Sequence, residues 1–242
     1  MNEELILKFQ PFIKLLNTYH DYQVLGLENI PKKGPCIVAF NHSLATYDIF
    51  LLMNTIIESY NRFPRSLIDN LFYKVPGLGD LMGQLGCVAG KPNNAESLLS
   101  NGEIVFVAPG GMKESLRPSR KKYEISWAQR RGFARLAMKT GTPIVLAACP
   151  AADDIFHVYE SEVSKWFYKN LKVPLFLARG IGLTPIPKPA RLTHLISEPM
   201  LPPSNYSNPE NALEDYHSKL VNRMKQLINA ANQNQYGTEY LN

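Results

Sequence analysis

Three short, almost wholly apolar runs constrain the fold more than any other feature of the chain. They are CIVAF at 36–40, EIVFV at 103–107 and TPIVLAAC at 142–149. Runs of this kind that alternate with helical segments are typical of an α/β domain. Strands that are apolar on both sides indicate a sheet covered on both faces. We therefore expect a single domain over residues 1–242, with a mixed, mostly parallel central sheet and helices on both faces.

Helical segments are predicted near both ends. Residues of about 3–19 have a helical apolar pattern that Pro11 would bend or break. This amphipathic segment could lie on a membrane interface, although packing on the domain's own core is the favoured alternative. Asn208 as N-cap and Pro209 as first residue predict a C-terminal amphipathic helix over about 209–232. The last nine residues, 234–242, are polar and predicted to fray.

The charge balance is modestly basic, with a formal net charge of +5 and a pI of about 9.0. A basic surface favours anionic partners such as phospholipid surfaces, phosphorylated substrates or nucleic acid. A solvated surface with a small excess of lysine explains the same number. No nucleic-acid-binding motif is recognisable, so no nucleic-acid partner is expected.

Several sequence features bear on the compartment. The three cysteines lie in apolar runs without a C-x-x-C pair, which predicts a reducing compartment and no disulfide framework. The N-terminal residues lack the basic start and unbroken apolar core of a signal peptide. No window reaches the roughly 18 consecutive apolar residues of a membrane span. We therefore expect a cytoplasmic protein that associates peripherally with a membrane if it acts on lipid.

Common catalytic motifs are missing. There is no G-x-S-x-G serine elbow, no P-loop and no dinucleotide-binding glycine pattern. The five histidines show no metal-ligand spacing, so neither a metal nor a cofactor is expected.

One histidine, His42, directly follows a buried strand, and Asp48 lies six positions later at the start of an apolar helix. A carboxylate on one imidazole nitrogen fixes the tautomer and leaves the other nitrogen free to accept a proton. Within a continuous helix the two side chains would point about 120° apart, so a tight turn is needed to bring them together. A histidine that caps the helix or bonds to the backbone is the plainer alternative for His42.

A second polar block, PGGMKE at 109–114, follows the strand at 103–107. Gly110 and Gly111 allow close backbone approach to a ligand, and exposed N–H groups there can bind phosphate or an oxyanion. Lys113 adds a mobile cation, and Glu114 can order the loop. A plain strand-to-loop turn is the alternative interpretation.

Taken together, NH-x5-D, then VAPGGMKES, then RRGFARLAMKTGTPIV at 130–145 resemble the glycerolipid acyltransferase superfamily over roughly residues 20–200. The P-G-G-x-x-E block is most similar to the branch that contains diacylglycerol and monoacylglycerol acyltransferases. The His–Asp spacing is one residue longer than the commonest family pattern. Gly110 stands where phosphate-acceptor members carry Glu, which favours a neutral alcohol acceptor.

The resemblance implies roles for individual residues. It places the family's general base on His42 and its acidic partner on Asp48. It assigns acceptor binding to a group of four residues, Gly110, Gly111, Lys113 and Glu114. Lys91 falls in a glycine-and-basic segment that binds phosphate in phospholipid-making members.

The implied reaction is direct transfer of a fatty acyl group from a thioester, acyl-CoA or acyl-carrier protein, to the hydroxyl of a lipid-like acceptor. The oxyanion would be stabilised by backbone N–H groups near Gly110 or in the 41–48 turn. The basic loop RPSRKK at 117–122 could meet phosphates, a carrier protein or anionic lipid, or simply be solvated. Two alternative functions remain open: a thioester hydrolase that uses the same His–Asp pair, and a lipid-binding protein without catalysis.

Overall fold

The computed structural model describes residues 1–44, 46–162, 166–167, 170 and 177–233. Its α-helices are α1 (Glu3–Lys8), α2 (Gln10–Tyr19), α3 (Asp48–Tyr60), α4 (Leu78–Gln84), α5 (Pro92–Ser100), α6 (Gly111–Ser115), α7 (Gly132–Thr140) and α8 (Pro209–Asn232). Its strands are β1 (Gln23–Leu25), β2 (Cys36–Phe40), β3 (Arg65–Ile68), β4 (Cys87–Ala89), β5 (Ile104–Val107), β6 (Ile144–Ala148), β7 (His157–Val158), β8 (Ala178–Arg179) and β9 (Thr193–Ile196). The predicted fraying of 234–242 concerns residues outside these ranges.

The main sheet has seven strands in the order β1-β9-β6-β2-β5-β3-β4. The strand β2 lies at its centre and pairs in parallel with β5 and β6. Only the β6–β9 pair is antiparallel among the pairings of this sheet. The predicted mixed, mostly parallel sheet is therefore confirmed. The strands β7 and β8 form a separate antiparallel pair.

The sheet is covered on both faces, as predicted. On one face, alternate residues of β2, β5 and β6 pack against α5, α7 and α8. On the other face, the remaining residues of the same strands pack against α3. The strand β2 is buried at every position because each side chain faces one of these two layers.

The N-terminal segment is divided into two helices. The helix α1 ends at Lys8, and Pro11 occupies the first turn of α2, so the proline starts a new helix instead of kinking a long one. Ile13 and Leu16 of α2 pack against a small core cluster around Leu51. Neither α1 nor α2 contains a fully buried residue.

The helix α7 begins only at Gly132, and the preceding residues from Ser126 form a loop. Ser126 donates its backbone N–H to the Glu114 carboxylate, and Trp127 is completely buried with its ring 5.4 Å from that of Phe133. These tertiary contacts hold the segment before Gly132 as a loop and override its helical propensity.

The helix α8 coincides with the predicted C-terminal helix. Asn208 caps it by accepting hydrogen bonds from the N–H groups of Glu210 and Asn211 at 3.0 and 3.2 Å. Among the described residues, no helix combines the length and the apolar character that crossing a bilayer requires.

Candidate active site

The polar residues singled out from the sequence come together because parallel strands end at one edge of the sheet. His42 follows β2, Gly110 follows β5, and Lys91 follows β4. Asn41 ties the end of β2 to the end of β6, since its side chain donates to the Cys149 carbonyl at 3.2 Å and accepts from the Cys149 N–H at 2.8 Å. This edge is the candidate active site.

The His42 side chain is held by its own turn. Its Nδ1 lies 3.0 Å from the Ser43 carbonyl oxygen and 2.8 Å from the Thr46 hydroxyl oxygen. A carbonyl oxygen can only accept, so Nδ1 carries the proton and Nε2 carries the lone pair. The Thr46 hydroxyl donates to the same Ser43 carbonyl at 3.0 Å, which leaves its oxygen free to accept from Nδ1. The turn therefore makes Nε2 the basic nitrogen of His42.

The turn owes its shape to a left-handed residue. Thr46 has a φ of 53°, a conformation that a β-branched residue rarely adopts. This conformation places its hydroxyl next to the His42 ring. Strain of this kind is found where the surrounding structure fixes a functional group.

Asp48 lies at the first residue of α3 and is fully buried. Its Oδ1 accepts a hydrogen bond from the Ser43 hydroxyl at 3.1 Å. The structure shows no hydrogen bond between the His42 ring and Asp48, both of which it describes. The tight turn expected between them exists, but it directs Nδ1 to Ser43 and Thr46, so the direct bond expected from the sequence is absent. Asp48 instead reaches the histidine through Ser43.

Burial shifts the pKa values of both groups in the direction that opposes charge. Burial lowers the pKa of His42 to about 4, with the Ser43 carbonyl opposing that shift and the nearby Arg117 cation adding to it. Burial raises the pKa of Asp48 to about 7, against the hydrogen bond from Ser43. The imidazole of His42 is therefore neutral at pH 7, the state that a base requires.

Glu114 connects the two predicted blocks. Its buried carboxylate accepts the backbone N–H of His42 at 2.7 Å and that of Ser126 at 2.6 Å. The N–H of His42 is thus already occupied and is not available to an oxyanion. The expectation that Glu114 orders the loop agrees with these contacts.

The two glycines of the block serve different purposes. A Cβ on Gly110 would lie 2.1 Å from Oε2 of Glu114, so only glycine leaves room for the folded-back glutamate. Gly111 has a φ of 54°, and a Cβ there would meet nothing within 4 Å. Lys113, on the same short helix α6, is exposed.

The basic run at 117–122 is largely neutralised by acidic residues. Arg117 is buried against Asp153 at 2.5 Å and approaches the His42 carbonyl at 3.4 Å. Arg120 pairs with Glu160 and Lys122 pairs with Asp154. Three of the four cations expected to meet phosphates are therefore engaged within the protein.

A basic pocket of about 450 Å³ lies beyond β4 and β5. Lys91, Arg130 and Arg131 line it together with Pro109. Lys91 is exposed, and Arg131 pairs with Glu214 of α8 at 3.3 Å. This pocket, and not the 117–122 loop, presents a group of cations beside the predicted site.

An apolar cavity of about 210 Å³ lies between the N-terminal helices and α3. Phe9, Phe12 and Ile13 line it from the N-terminal side, and Phe50 and Met53 line it from α3. The helix that begins with Asp48 therefore also forms a wall of this cavity. Its lining is almost entirely apolar, as an acyl chain requires.

The acyltransferase family model matches residues 21–149, which include both polar blocks and the sheet edge between them. The chain belongs to the acyltransferase family. The resemblance to glycerolipid acyltransferases inferred from the sequence is thereby confirmed.

Relatives and a solved structure agree with this assignment. The chain is 27% identical over 211 residues to a human "DGAT1/2-independent enzyme synthesizing storage lipids", covering 87% of this chain and 61% of that one. It is 28% identical over 157 residues to the Bos taurus protein of that name, covering 64% and 47%. The chain thus spans about half of the length of these relatives. The 1-acyl-sn-glycerophosphate (LPA) acyltransferase PlsC from Thermotoga maritima shares the fold of this acyltransferase, with a TM-score of 0.58 at 23% identity over 91% of this chain and 78% of that one.

Sequence reasoning missed several residues of this site. Ser43 and Thr46 lie inside the NH-x5-D block, yet only the turn geometry shows that they hold His42. The imidazole of His194, at the start of β9, lies 3.6 Å from Asp48 and gave no sequence signal, because it is distant in the chain.

Proposed function

We propose that this acyltransferase moves a fatty acyl group from an acyl thioester to the hydroxyl of a lipid acceptor, with His42 as general base. The observation that carries this proposal is the hydrogen bonding of Nδ1 to the Ser43 carbonyl and Thr46, which leaves Nε2 with its lone pair. A base of this kind contributes about 10²–10⁴-fold to the rate.

The proposed step is direct and balanced. Nε2 of His42 removes the proton of the acceptor hydroxyl while the oxygen attacks the thioester carbonyl carbon. The tetrahedral intermediate collapses with cleavage of the C–S bond. The imidazolium returns the proton to the leaving thiolate, which gives an ester and a free thiol without an acyl-enzyme or any cofactor.

Asp48 contributes to this step through the turn. Its carboxylate holds the Ser43 hydroxyl, and the Ser43 carbonyl holds Nδ1 of His42. Glu114 fixes the backbone of the same histidine from the other side. We propose that these two carboxylates position His42 and do not themselves exchange protons with the substrate.

Acyl-CoA is the donor that the charges favour. The phosphates of a nucleotide need cations that are accessible, and Lys91 and Arg130 supply them in the basic pocket. An acyl-carrier protein is the alternative donor, and it would need a broad basic surface, whereas three cations of the 117–122 loop are paired internally.

A neutral alcohol such as an acylglycerol is the proposed acceptor. Gly110, which makes room for the Glu114 side chain, stands where phosphate-acceptor members carry Glu. Two of the relatives are named for the synthesis of storage lipids, and this chain takes a neutral acceptor if it shares their chemistry.

We propose that the reaction takes place at a membrane surface. Large apolar side chains of the N-terminal segment 3–19 are exposed, and they are Leu7, Phe9, Phe12 and Leu15. Leu183, in the loop after β8, is 88% exposed. The Tyr19 hydroxyl donates to the Pro187 carbonyl at 2.6 Å, which connects the end of α2 to the segment that follows β8. Large apolar side chains exposed in such numbers mark a lipid or protein interface.

The proposal is tested with radiolabelled acyl-CoA and a panel of acceptors, including monoacylglycerol, diacylglycerol and lysophosphatidate, with the products resolved by lipid chromatography. We expect labelled acylglycerol from the wild type and none from folded His42→Ala. Free fatty acid alone in the presence of acceptors would identify a thioester hydrolase. Liposome binding without turnover, unaffected by His42→Ala, would identify a lipid-binding protein. Near-normal acyl transfer by folded His42→Ala would show that His42 is not the general base.

A further inference from the structure

A second histidine faces Asp48 from the side away from Ser43. His194 is fully buried, and its Nε2 lies 3.6 Å from Oδ2 of Asp48. Neither of these two atoms has a hydrogen-bond partner among the described residues. The separation is only a few tenths of an ångström beyond hydrogen-bond range.

The ring of His194 is oriented from its other nitrogen. The Tyr22 hydroxyl lies 2.9 Å from Nδ1, and the two rings meet edge to face. A phenol can donate or accept, so Tyr22 supports either neutral tautomer of His194. The ring proton of His194 can therefore reside on Nε2, the nitrogen that faces Asp48.

The energetics favour a shared proton between His194 and Asp48. A buried polar atom without a partner destabilises the fold, and one proton between Nε2 and Oδ2 satisfies both atoms at once. Burial raises the pKa of Asp48 and lowers that of His194, so the pair resists carrying two opposite charges or two protons. Such a pair titrates as a unit.

We propose that His194 is a positioning residue of the acyltransferase: it hydrogen-bonds Oδ2 of Asp48, so that Oδ1 stays directed at Ser43 in the turn that holds His42. The chain of contacts then runs from Tyr22 through His194, Asp48 and Ser43 to His42. This inference deepens the proposed function, and its kinetic test rests on that function.

The fold brings these residues together although they are far apart in sequence. The strand β9 runs antiparallel to β6, so His194 near its first residue lies at the edge where β6 ends. The strand β1 pairs in parallel with β9, which places Tyr22, just before β1, at the same edge. Other titratable groups also face the pair, and they are Tyr47, Cys149 and Asp153. Of these, Asp153 is already paired with Arg117.

The first test measures the contact without relying on catalysis. Nitrogen-15 NMR of histidine-labelled protein reports the tautomer of each ring, and the His194 signals are assigned with His194→Gln. We expect Asp48→Asn to change the ring nitrogen shifts of His194 and to leave those of His217 unchanged. His194 shifts that are the same in Asp48→Asn and in the wild type would overturn the proposal.

The second test uses a matched buried histidine as control. His217 on α8 is also buried with an unpartnered Nε2 among the described residues, but it packs on Phe133 in the opposite core layer. We expect His194→Ala to lower kcat by about 10–100-fold with little change in KM, as loss of an orienting partner does. His194→Gln should recover most of kcat, because its amide can bond Asp48.

His217→Ala is the control. It should lower the melting temperature but leave kcat within about 3-fold of the wild-type value, a smaller change than the one expected for His194→Ala. Equal kcat losses in His194→Ala and His217→Ala would overturn the assignment.

A metal analysis of the purified protein closes the remaining alternative. The Cys149 thiol, Asp48 and His194 offer ligand atoms that lie within 4.8 Å of one another. One equivalent of bound zinc that is lost in Cys149→Ser would make His194 a ligand and overturn the proposal, whereas a metal-free, active protein supports it. If the wild type transfers no acyl group to any acceptor, the proposed function fails while the NMR test still decides the contact.

Discussion

A methyl group on Gly110 would lie 2.1 Å from Oε2 of Glu114 and 2.6 Å from its Cβ, so the glycine is the space in which the glutamate folds back. In that position the Glu114 carboxylate binds the N–H groups of His42 and Ser126. The Glu114 side chain thus holds together the two strand ends that carry the polar blocks. It can do so only because Gly110 has no Cβ.

Gly110→Ala should therefore displace Glu114 and release the backbone of His42. We expect a loss of stability of about 1–3 kcal/mol from overpacking. We also expect activity to fall on the order of 100-fold, since a shift of about 1 Å at the base is sufficient for that. Thermal unfolding and acyl transfer rates measure the two effects.

Gly83→Ala is the matched control for that variant. Gly83 lies in α4, and a Cβ there would meet nothing within 4 Å. Alanine favours a helix, so this variant should keep full activity and gain about 0.5–1 kcal/mol. Full activity in Gly110→Ala would show that Glu114 does not need its present position.

Thr46 offers a test of the tautomer argument. Thr46→Val keeps the β-branched shape but removes the hydroxyl that accepts from Nδ1 of His42 and donates to Ser43. We expect kcat to fall by roughly 10-fold, a part of the about 10²–10⁴-fold that a general base supplies. Thr46→Ser keeps the hydroxyl, and its kcat should remain within about 3-fold of the wild-type value. Similar rates for the Val and Ser variants would mean that the Ser43 carbonyl alone orients the ring.

Lys91 tests the assignment of the basic pocket to the acyl donor. Lys91→Gln should raise KM for acyl-CoA by up to about 10-fold, the value of one accessible charge-assisted contact. The KM for an acyl thioester of N-acetylcysteamine, which lacks the nucleotide, should not change. Lys33→Gln, an exposed lysine in the turn before β2, serves as the charge-matched control. A KM that is equal for wild type and Lys91→Gln would move the donor away from this pocket.

The features that depend on local sequence, namely the central strands and the polar residues that follow them, could be predicted from the sequence. The apolar runs predicted β2, β5 and β6, because a strand buried on both faces must be apolar at every position. The sequence also placed His42 and Gly110 directly after two of these strands, and the parallel pairing of β2 with β5 brings them to one edge.

Contacts that depend on tertiary geometry were out of reach from the sequence. The left-handed Thr46 redirects the His42 ring from Asp48 to Ser43, and no residue pattern announces a left-handed threonine. His194 reaches Asp48 only because β9 runs antiparallel to β6. A strand's direction depends on the path of the whole chain, whereas its apolar pattern is the same in either direction.

Asp48→Asn should separate activity from stability. The pKa of Asp48 is raised by burial from 3.8 to about 7 in the folded protein. A raised pKa means that folding favours the protonated form, so the contribution of this group to stability is fully present below pH 3.8 and is lost as pH rises through 7.

Asparagine remains neutral and can still accept from Ser43. We therefore expect Asp48→Asn to match the wild type in stability near pH 4, and to exceed it by up to about 4 kcal/mol at pH 8. The same variant should lose most of its acyl transfer at pH 8, because the neutral amide lacks the negative charge that stabilises the imidazolium formed on His42. Chemical denaturation between pH 4 and 8 measures the first effect, and the transfer assay measures the second. A stability difference that does not grow between pH 4 and 8 would show that folding does not raise the pKa of Asp48.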